Sequence, residues 1–122
     1  MAVATAVDRT LSALADPTRR AVVELLGEQP RRAGEVAAAL GASRPALSRH
    51  LRVLRETGLV EEHAPPEDAR ARVLQLRRQP LADLRGWLEE LERFWAGQLE
   101  SFQAHVAAAG PRPPPRQGRR RR

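Results

Sequence analysis

The chain has no cysteine, no lysine and no tyrosine in its 122 residues. Without cysteine there is no disulfide frame, no thiolate metal site and no thiol switch. The missing lysines, cysteines and tyrosines also thin out the usual nucleophiles and acid–base groups. No glycine-rich phosphate loop, pocket-like carboxylate pair or nucleophile beside a base takes their place, so catalysis is not expected. No apolar run approaches the length needed to span a bilayer. Met1-Ala2-Val3 opens neither the basic start nor the continuous apolar stretch of a signal peptide, so a cytosolic protein is expected.

A chain of this length is read as one domain with a modest core. Its formal charge of +6 is unevenly held. Residues 1–110 contain fifteen arginines and fifteen acids, and the excess comes from six arginines after Pro111. The expected boundary follows: residues 1–110 fold, and 111–122 form an extended Pro/Arg-rich tail unable to build a core. Within the folded part, residues 43–55 carry four arginines and no acid, whereas 81–103 carry five acids and two arginines. The basic field is local.

Five helices and two strands are expected. A first helix covers residues 4–15, with Val7, Leu11 and Leu14 on one side. Asp16-Pro17 starts a second, Asp16 as N-cap and Pro17 in the first turn. Its apolar face is Ala21, Val22, Leu25 and Leu26, and Gly27 suits a left-handed cap. After a Gln29-Pro30 linker, a short third helix spans residues 33–40 with Val36, Ala37 and Leu40 inward. Gly41-Ala42 then leads directly to a fourth helix, residues 44–57, closed by Gly58. Two short helices joined by a glycine-bearing turn form a helix-turn-helix pattern.

Residues 42–54 (ASRPALSRHLRVL) are the most informative stretch. Ser43 is a good N-cap and Pro45 falls in the first turn, where its missing N–H costs nothing. Leu47, Leu51 and Leu54 share a stripe with His50 at its edge. Pro45, Ser48, Arg49 and Arg52 lie opposite, flanked by Arg44 and Arg55. That face suits phosphate oxygens and guanine edges in a major groove, although a solvated charged face has the same composition.

Beyond it, residues 59–63 and 70–76 read as two strands around the turn-rich 64–69, a hairpin or wing. Arg70, Arg72, Leu74 and Leu76 would share one face of the second strand. A last helix over residues 81–108, about 40 Å long, carries Leu84, Trp87, Leu88, Leu91, Phe94, Trp95, Leu99, Phe102 and Val106 at spacings of three and four. Such a stripe needs a partner surface, and a second copy of the chain supplies one; packing on its own domain is the alternative.

With ALADPTRRAVVELL, then EVAAALGASRPALSRHLRVLRETGLVE, a hairpin and a tryptophan-bearing last helix, the chain resembles the ArsR (arsenic-repressor) family over residues 8–105. The resemblance implies a mainly α winged helix-turn-helix fold, and a bacterial regulator that dimerises through its first and last helices. It further implies binding to an inverted-repeat operator, usually to repress, in the cytoplasm on the nucleoid. It makes residues 44–57 the recognition helix, with Ser43, Arg44, Ser48, Arg49 and Arg52 at groove-facing positions. The family's metal-sensing branch has paired cysteines before that helix, where this chain reads Arg32-Ala33-Gly34-Glu35-Val36-Ala37. The branch with a site on the last helix needs clustered histidines and carboxylates, where this chain offers only His105 and Glu100. No metal or other cofactor is therefore expected, and no membrane partner.

The expected DNA-binding set is Ser43, Arg44, Pro45, Ser48, Arg49, His50, Arg52, Arg55, Arg70 and Arg72. Arg49 and Arg52 are the base-reading candidates. His50 is read first as a packed ring bonding the backbone, with a DNA contact as the alternative, while His63 is expected to be exposed on the hairpin. The acids Glu61, Glu62, Glu67 and Asp68 weaken any grip by the wing. The expected dimer interface is Leu11, Leu84, Trp87, Leu88, Leu91, Trp95, Leu99 and Phe102. Two other readings remain open: a winged helix serving as a protein-interaction module, and a non-specific DNA-coating protein driven by the tail.

Overall fold

Asp16 and Pro17 divide the N-terminal part of the chain into two helices, α1 (Ala2–Leu14) and α2 (Pro17–Glu28), in a computed structural model that describes residues 2–68 and 70–109. The tail expected over 111–122 lies outside the described residues. The Asp16 carboxylate accepts from the backbone N–H of Thr18 at 2.8 Å and of Arg19 at 3.0 Å, filling the orphan donors of the first turn. The α1 carbonyls at the other side of this corner are taken by two arginines of α2. Arg19 donates through Nε to Ala13 O at 2.7 Å, and Arg20 through Nη1 to Leu14 O at 2.8 Å. The inward stripe of α1 is Val7, Thr10 and Ala13, with Leu14 half-buried against the core, so of the expected Val7, Leu11 and Leu14 only Leu11 is displaced. Thr10 can be buried because its hydroxyl donates to Ala6 O of its own helix, and Leu11 is left 42% exposed.

Gly27 does not cap α2. The helix runs on to Glu28, and the only glycines with positive φ among the described residues are Gly41 and Gly58. Residues 31–32 then add a strand that the sequence did not reveal, β1 (Arg31–Arg32), before α3 (Ala33–Leu40). At the start of α3 the Glu35 carboxylate accepts from the Arg32 N–H at 2.8 Å. Gly41 ends it at φ 63°, where the Ala42 N–H reaches back to Ala37 O.

After α4 (Arg44–Glu56), strands β2 (Val60–His63) and β3 (Val73–Leu76) pair antiparallel from Val60↔Leu76 to His63↔Val73. β1 pairs with the other edge of β3, so the sheet has three strands ordered β1-β3-β2 rather than the expected two. The second strand is also shorter than expected. Asp68 accepts from the Arg70 N–H with its side chain and from the Ala71 N–H with its carbonyl, and this turn holds residues 70–72 out of the ladder. Arg70 and Arg72 accordingly precede the strand instead of alternating along it with Leu74 and Leu76.

The core lies among α1–α4 and the sheet. Val22, Val36, Leu47, Leu54, Leu59 and Leu74 are all but inaccessible within it. The last helix, α5 (Gln79–Ala109), starts two residues earlier than expected, with the Gln79 amide bonded to Asp83. Two compact units divide within it. The first reaches Trp87 and holds the winged helix-turn-helix, with Leu81 packed on the core. The second, from Leu88, is described as helix up to Ala109. Among the described residues no helix is long and apolar enough to cross a membrane.

Candidate nucleic-acid interface

Recognition by a helix requires that its ends and its phase be fixed, and α4 meets both conditions from local chemistry. Ser43 Oγ accepts from the Ala46 N–H at 3.2 Å, and Pro45 occupies a first-turn position. At the far end Gly58, at φ 80°, lets its N–H reach Arg55 O and that of Leu59 reach Leu54 O, each at 3.0 Å. Leu47, Leu51 and Leu54, at 1%, 4% and 0% exposure, set the rotation of the helix about its axis.

At roughly 100° per residue, the remaining side chains fall into three groups. Pro45, Arg49 and Arg52 are outermost, and all are exposed. Arg44, Ser48 and Arg55 lie on the shoulder facing the wing. His50 lies on the opposite shoulder, half-buried, its Nδ1 3.4 Å from Arg19 Nη1 and 4.0 Å from Asp16 Oδ1. The structure thus brings Ser43, Arg44, Pro45, Ser48, Arg49, Arg52 and Arg55 to one exposed side and leaves His50 off it. The Asp16 carboxyl is held below its ordinary value, first by the Arg19 N–H. Partial burial opposes this, while the Thr18 N–H and the charges of His50 and Arg19 add to it.

The two acids of β2 are already engaged. Glu61 pairs with His63 at 3.0 Å and Arg77 at 3.4 Å. Glu62 pairs with Arg55 at 3.0 Å and Arg72 at 3.5 Å. Arg44, Arg49 and Arg52 have no hydrogen bond or ion pair among the described residues. The free positive charge of α4 therefore resides on those three, and that of Arg55 and Arg72 is spoken for. Arg70 is exposed in the link between β2 and β3, away from α4 in sequence and in secondary structure. A cleft of about 270 Å³ on the wing side of α4 is lined by Arg44, Ser48, Arg55, Glu62 and Arg72 over a floor that includes Leu47 and Leu74.

Reasoning from sequence missed Arg19 and Arg20 as caps of α1, and the double pairing of Glu62. The adjacent arginines after Asp16-Pro17 were the visible signal for the first. For the second, the alternation of Glu62 with Val60 places an acid on the inward face of β2.

The proposed dimer residues are distributed between the two units. In the first, Leu11 is 42% and Trp87 39% exposed, and Leu84 is half-buried. In the second, Leu88, Leu91, Trp95, Leu99 and Phe102 recur at spacings of three and four. Leu91 is half-buried, and Trp95 and Phe102 are 63% and 64% exposed. No group of three or more side chains able to ligate a metal forms among the described residues.

The family described as bacterial regulatory protein, arsR family, matches residues 16–62, from the α2 cap through α4 to β2. The HTH-type transcriptional regulator Rv2034 of Mycobacterium tuberculosis is 44% identical over 103 residues, which cover 84% of this chain and 91% of that protein. The transcriptional repressor SdpR of Bacillus subtilis is 32% identical over 57 residues, 47% of this chain and 63% of that protein. Among solved structures, the ArsR-like transcriptional regulator from Rhodococcus sp. RHA1 shares the fold. Its TM-score is 0.76 at 24% identity, over 87% of this chain and 97% of that one. Regulators of this family bind DNA, are typically dimeric and are not enzymes. With its capped α3–α4 pair, its wing and these relatives, this protein belongs to the ArsR family of DNA-binding transcriptional regulators, and its lack of cysteine fits the branch without a cysteine metal site.

Proposed function

We propose that the protein is a homodimeric repressor that binds an inverted-repeat operator, each protomer laying α4 in one major groove. The observation that carries this reading is the set of three guanidiniums without a partner among the described residues, Arg44, Arg49 and Arg52, on a helix fixed at both ends and along its buried stripe. Arg49 and Arg52 stand furthest from the core and read bases, most naturally guanine through O6 and N7. Ser43, Arg44 and Ser48, nearer the shoulder, take phosphates. Repression as the direction of control is supported by the name of the Bacillus relative.

Dimerisation is supported by the apolar side chains of α5. Phe94, Trp95 and Phe102 are 60–64% exposed. At 150–250 Å² per aromatic side chain they alone leave roughly 350 Å² uncovered, and the leucines of the stripe extend a patch already large for a monomer. A second copy across a two-fold axis, with Leu11 of α1 contributing, would set two recognition helices about 34 Å apart. In this reading residues 1–110 form the DNA-binding and dimerisation domain. The six arginines of 111–122 add loose phosphate contacts. The protein works in the cytoplasm, on the nucleoid.

In vitro selection of bound duplexes from a random pool tests the proposal. It should return a palindrome whose half-sites are one helical turn apart. Recovery of a single unrepeated half-site, or of no consensus, would rule out the symmetric dimer.

A further inference from the structure

Glu62 is an odd residue to find beside a recognition helix. It shares the inward face of β2 with Val60, which is 2% exposed, and its own side chain is only 23% exposed. Its two carboxylate oxygens are divided between two guanidiniums, Oε1 to Arg55 Nη1 at 3.0 Å and Oε2 to Arg72 Nη1 at 3.5 Å. Arg55 comes from α4 and Arg72 from the link that leads into β3, so a single acid ties the wing to the recognition helix. The three groups line the cleft of about 270 Å³, which Arg44 and Ser48 also border. A tetrahedral phosphate offers guanidiniums the same thing that this carboxylate does, anionic oxygens set to accept from planar N–H forks.

We propose that Glu62 is a built-in competitor for DNA phosphate, a positioning residue that withholds Arg55 and Arg72 from the backbone of any duplex that α4 meets. The inference rests on the reading of α4 as the DNA-facing helix. Its consequence is a division of labour. Arg44, Arg49 and Arg52 meet DNA, while the wing-side arginines contribute rigidity instead of indiscriminate charge. The two pairs differ in strength. Arg55 is 40% and Arg72 66% exposed, and the contact to Arg55 is shorter, so Arg55 is held more firmly.

Glu62→Gln removes the charge and keeps the shape. Each guanidinium it frees for a phosphate steepens the dependence of log K on log salt by about 0.9. Fluorescence anisotropy with a random duplex, across a salt series, should therefore show a slope steeper than wild type by about 0.9 to 1.8. The triple variant Glu62→Gln, Arg55→Gln, Arg72→Gln should return to the wild-type slope. An unchanged slope in Glu62→Gln, or a triple variant as steep as the single one, overturns the proposal. A second measurement needs no variant. On addition of random DNA to the wild-type protein, the NMR signals of the Arg49 and Arg52 side-chain Nε–H groups should shift and that of Arg55 should stay in place. Movement of the Arg55 signal also overturns it. Arg44→Gln separates this from a wrong assignment of the face, because Arg44 is the arginine of α4 assigned to phosphate. If that variant leaves the wild-type slope untouched, the reading of α4 has failed; if it lowers the slope while Glu62→Gln does not raise it, only the role of Glu62 has.

Discussion

Replacing Gly27 with alanine should stabilise this protein, the reverse of what a helix-capping glycine would give. Gly27 sits in the last turn of α2 with a helical backbone, because positive φ is confined to Gly41 and Gly58 among the described residues. A Cβ added there would meet Leu76 Cδ2 at 3.8 Å, an ordinary van der Waals contact that displaces nothing. Alanine in a helical position is favoured over glycine by about 0.5–1 kcal/mol, chiefly because the unfolded chain loses freedom. The position near the helix end takes something from that figure, and the contact with Leu76 returns part of it. For a folded part of this size the gain corresponds to a rise in Tm of about 2–8 °C. Gly41→Ala provides the contrast. At φ 63° the added methyl has open space, yet the left-handed conformation itself costs about 1–2 kcal/mol for an L residue. Urea unfolding followed by circular dichroism resolves both changes, with protein concentration held fixed so that association does not enter the comparison. If Gly27→Ala lowers the midpoint at unchanged m, the helical assignment of residue 27 and its packing against β3 are wrong.

Three further outcomes follow from the same packing. Leu54→Ala removes a side chain with 0% exposure from the centre of the core and should cost about 2–5 kcal/mol, measured by the same urea titration. The carboxyl of Asp16 is held below its ordinary value by backbone N–H groups that exist only in the fold. Its contribution to stability is therefore complete above the unfolded carboxylate pKa of about 4 and is lost as pH falls through the lower folded value. The stability gap between wild type and Asp16→Ala should accordingly be constant near neutrality and close below about pH 4; a gap that persists into strong acid refutes the assignment. Trp95→Glu enters a two-fold interface twice. If each copy forfeits about 2 kcal/mol of burial, the dimer Kd rises by roughly three orders of magnitude, which sedimentation equilibrium would register as monomer.

Much of the fold is legible because its determinants are local. The rotation of α4 could be read from the spacing of Leu47, Leu51 and Leu54, its start from Ser43 and Pro45, and the turn before it from Gly41. What escaped is what local pattern does not carry. β1 is two arginines with no periodicity, and it exists only because the free edge of β3 accepts it. Gly27 carries the same letter as a true cap, and the sequence has no mark to distinguish them. Leu11 looked inward because it is apolar, but Thr10 took the inward position by bonding its hydroxyl to its own helix. The candidate site shows the same division. That α4 bears arginines is plain from the chain; which of them are free depends on distances to Glu62, seven residues from Arg55 and ten from its other partner, Arg72. His50 likewise goes to the corner between α1 and α2 because Arg19 and Asp16 meet it there, thirty-odd positions earlier in the chain.

Choice of operator by this protein is assigned to Arg49 and Arg52. The measurement is the ratio of affinities for a selected operator and a random duplex, taken by competition at one fixed salt concentration, for wild type and for Arg49→Ala with Arg52→Ala. Each arginine that reads a guanine contributes about 1–3 kcal/mol of discrimination. The double variant should therefore lose most of its preference for the operator while its oligomeric state is unchanged. A double variant that still selects the same site as wild type would show that sequence is read by another face.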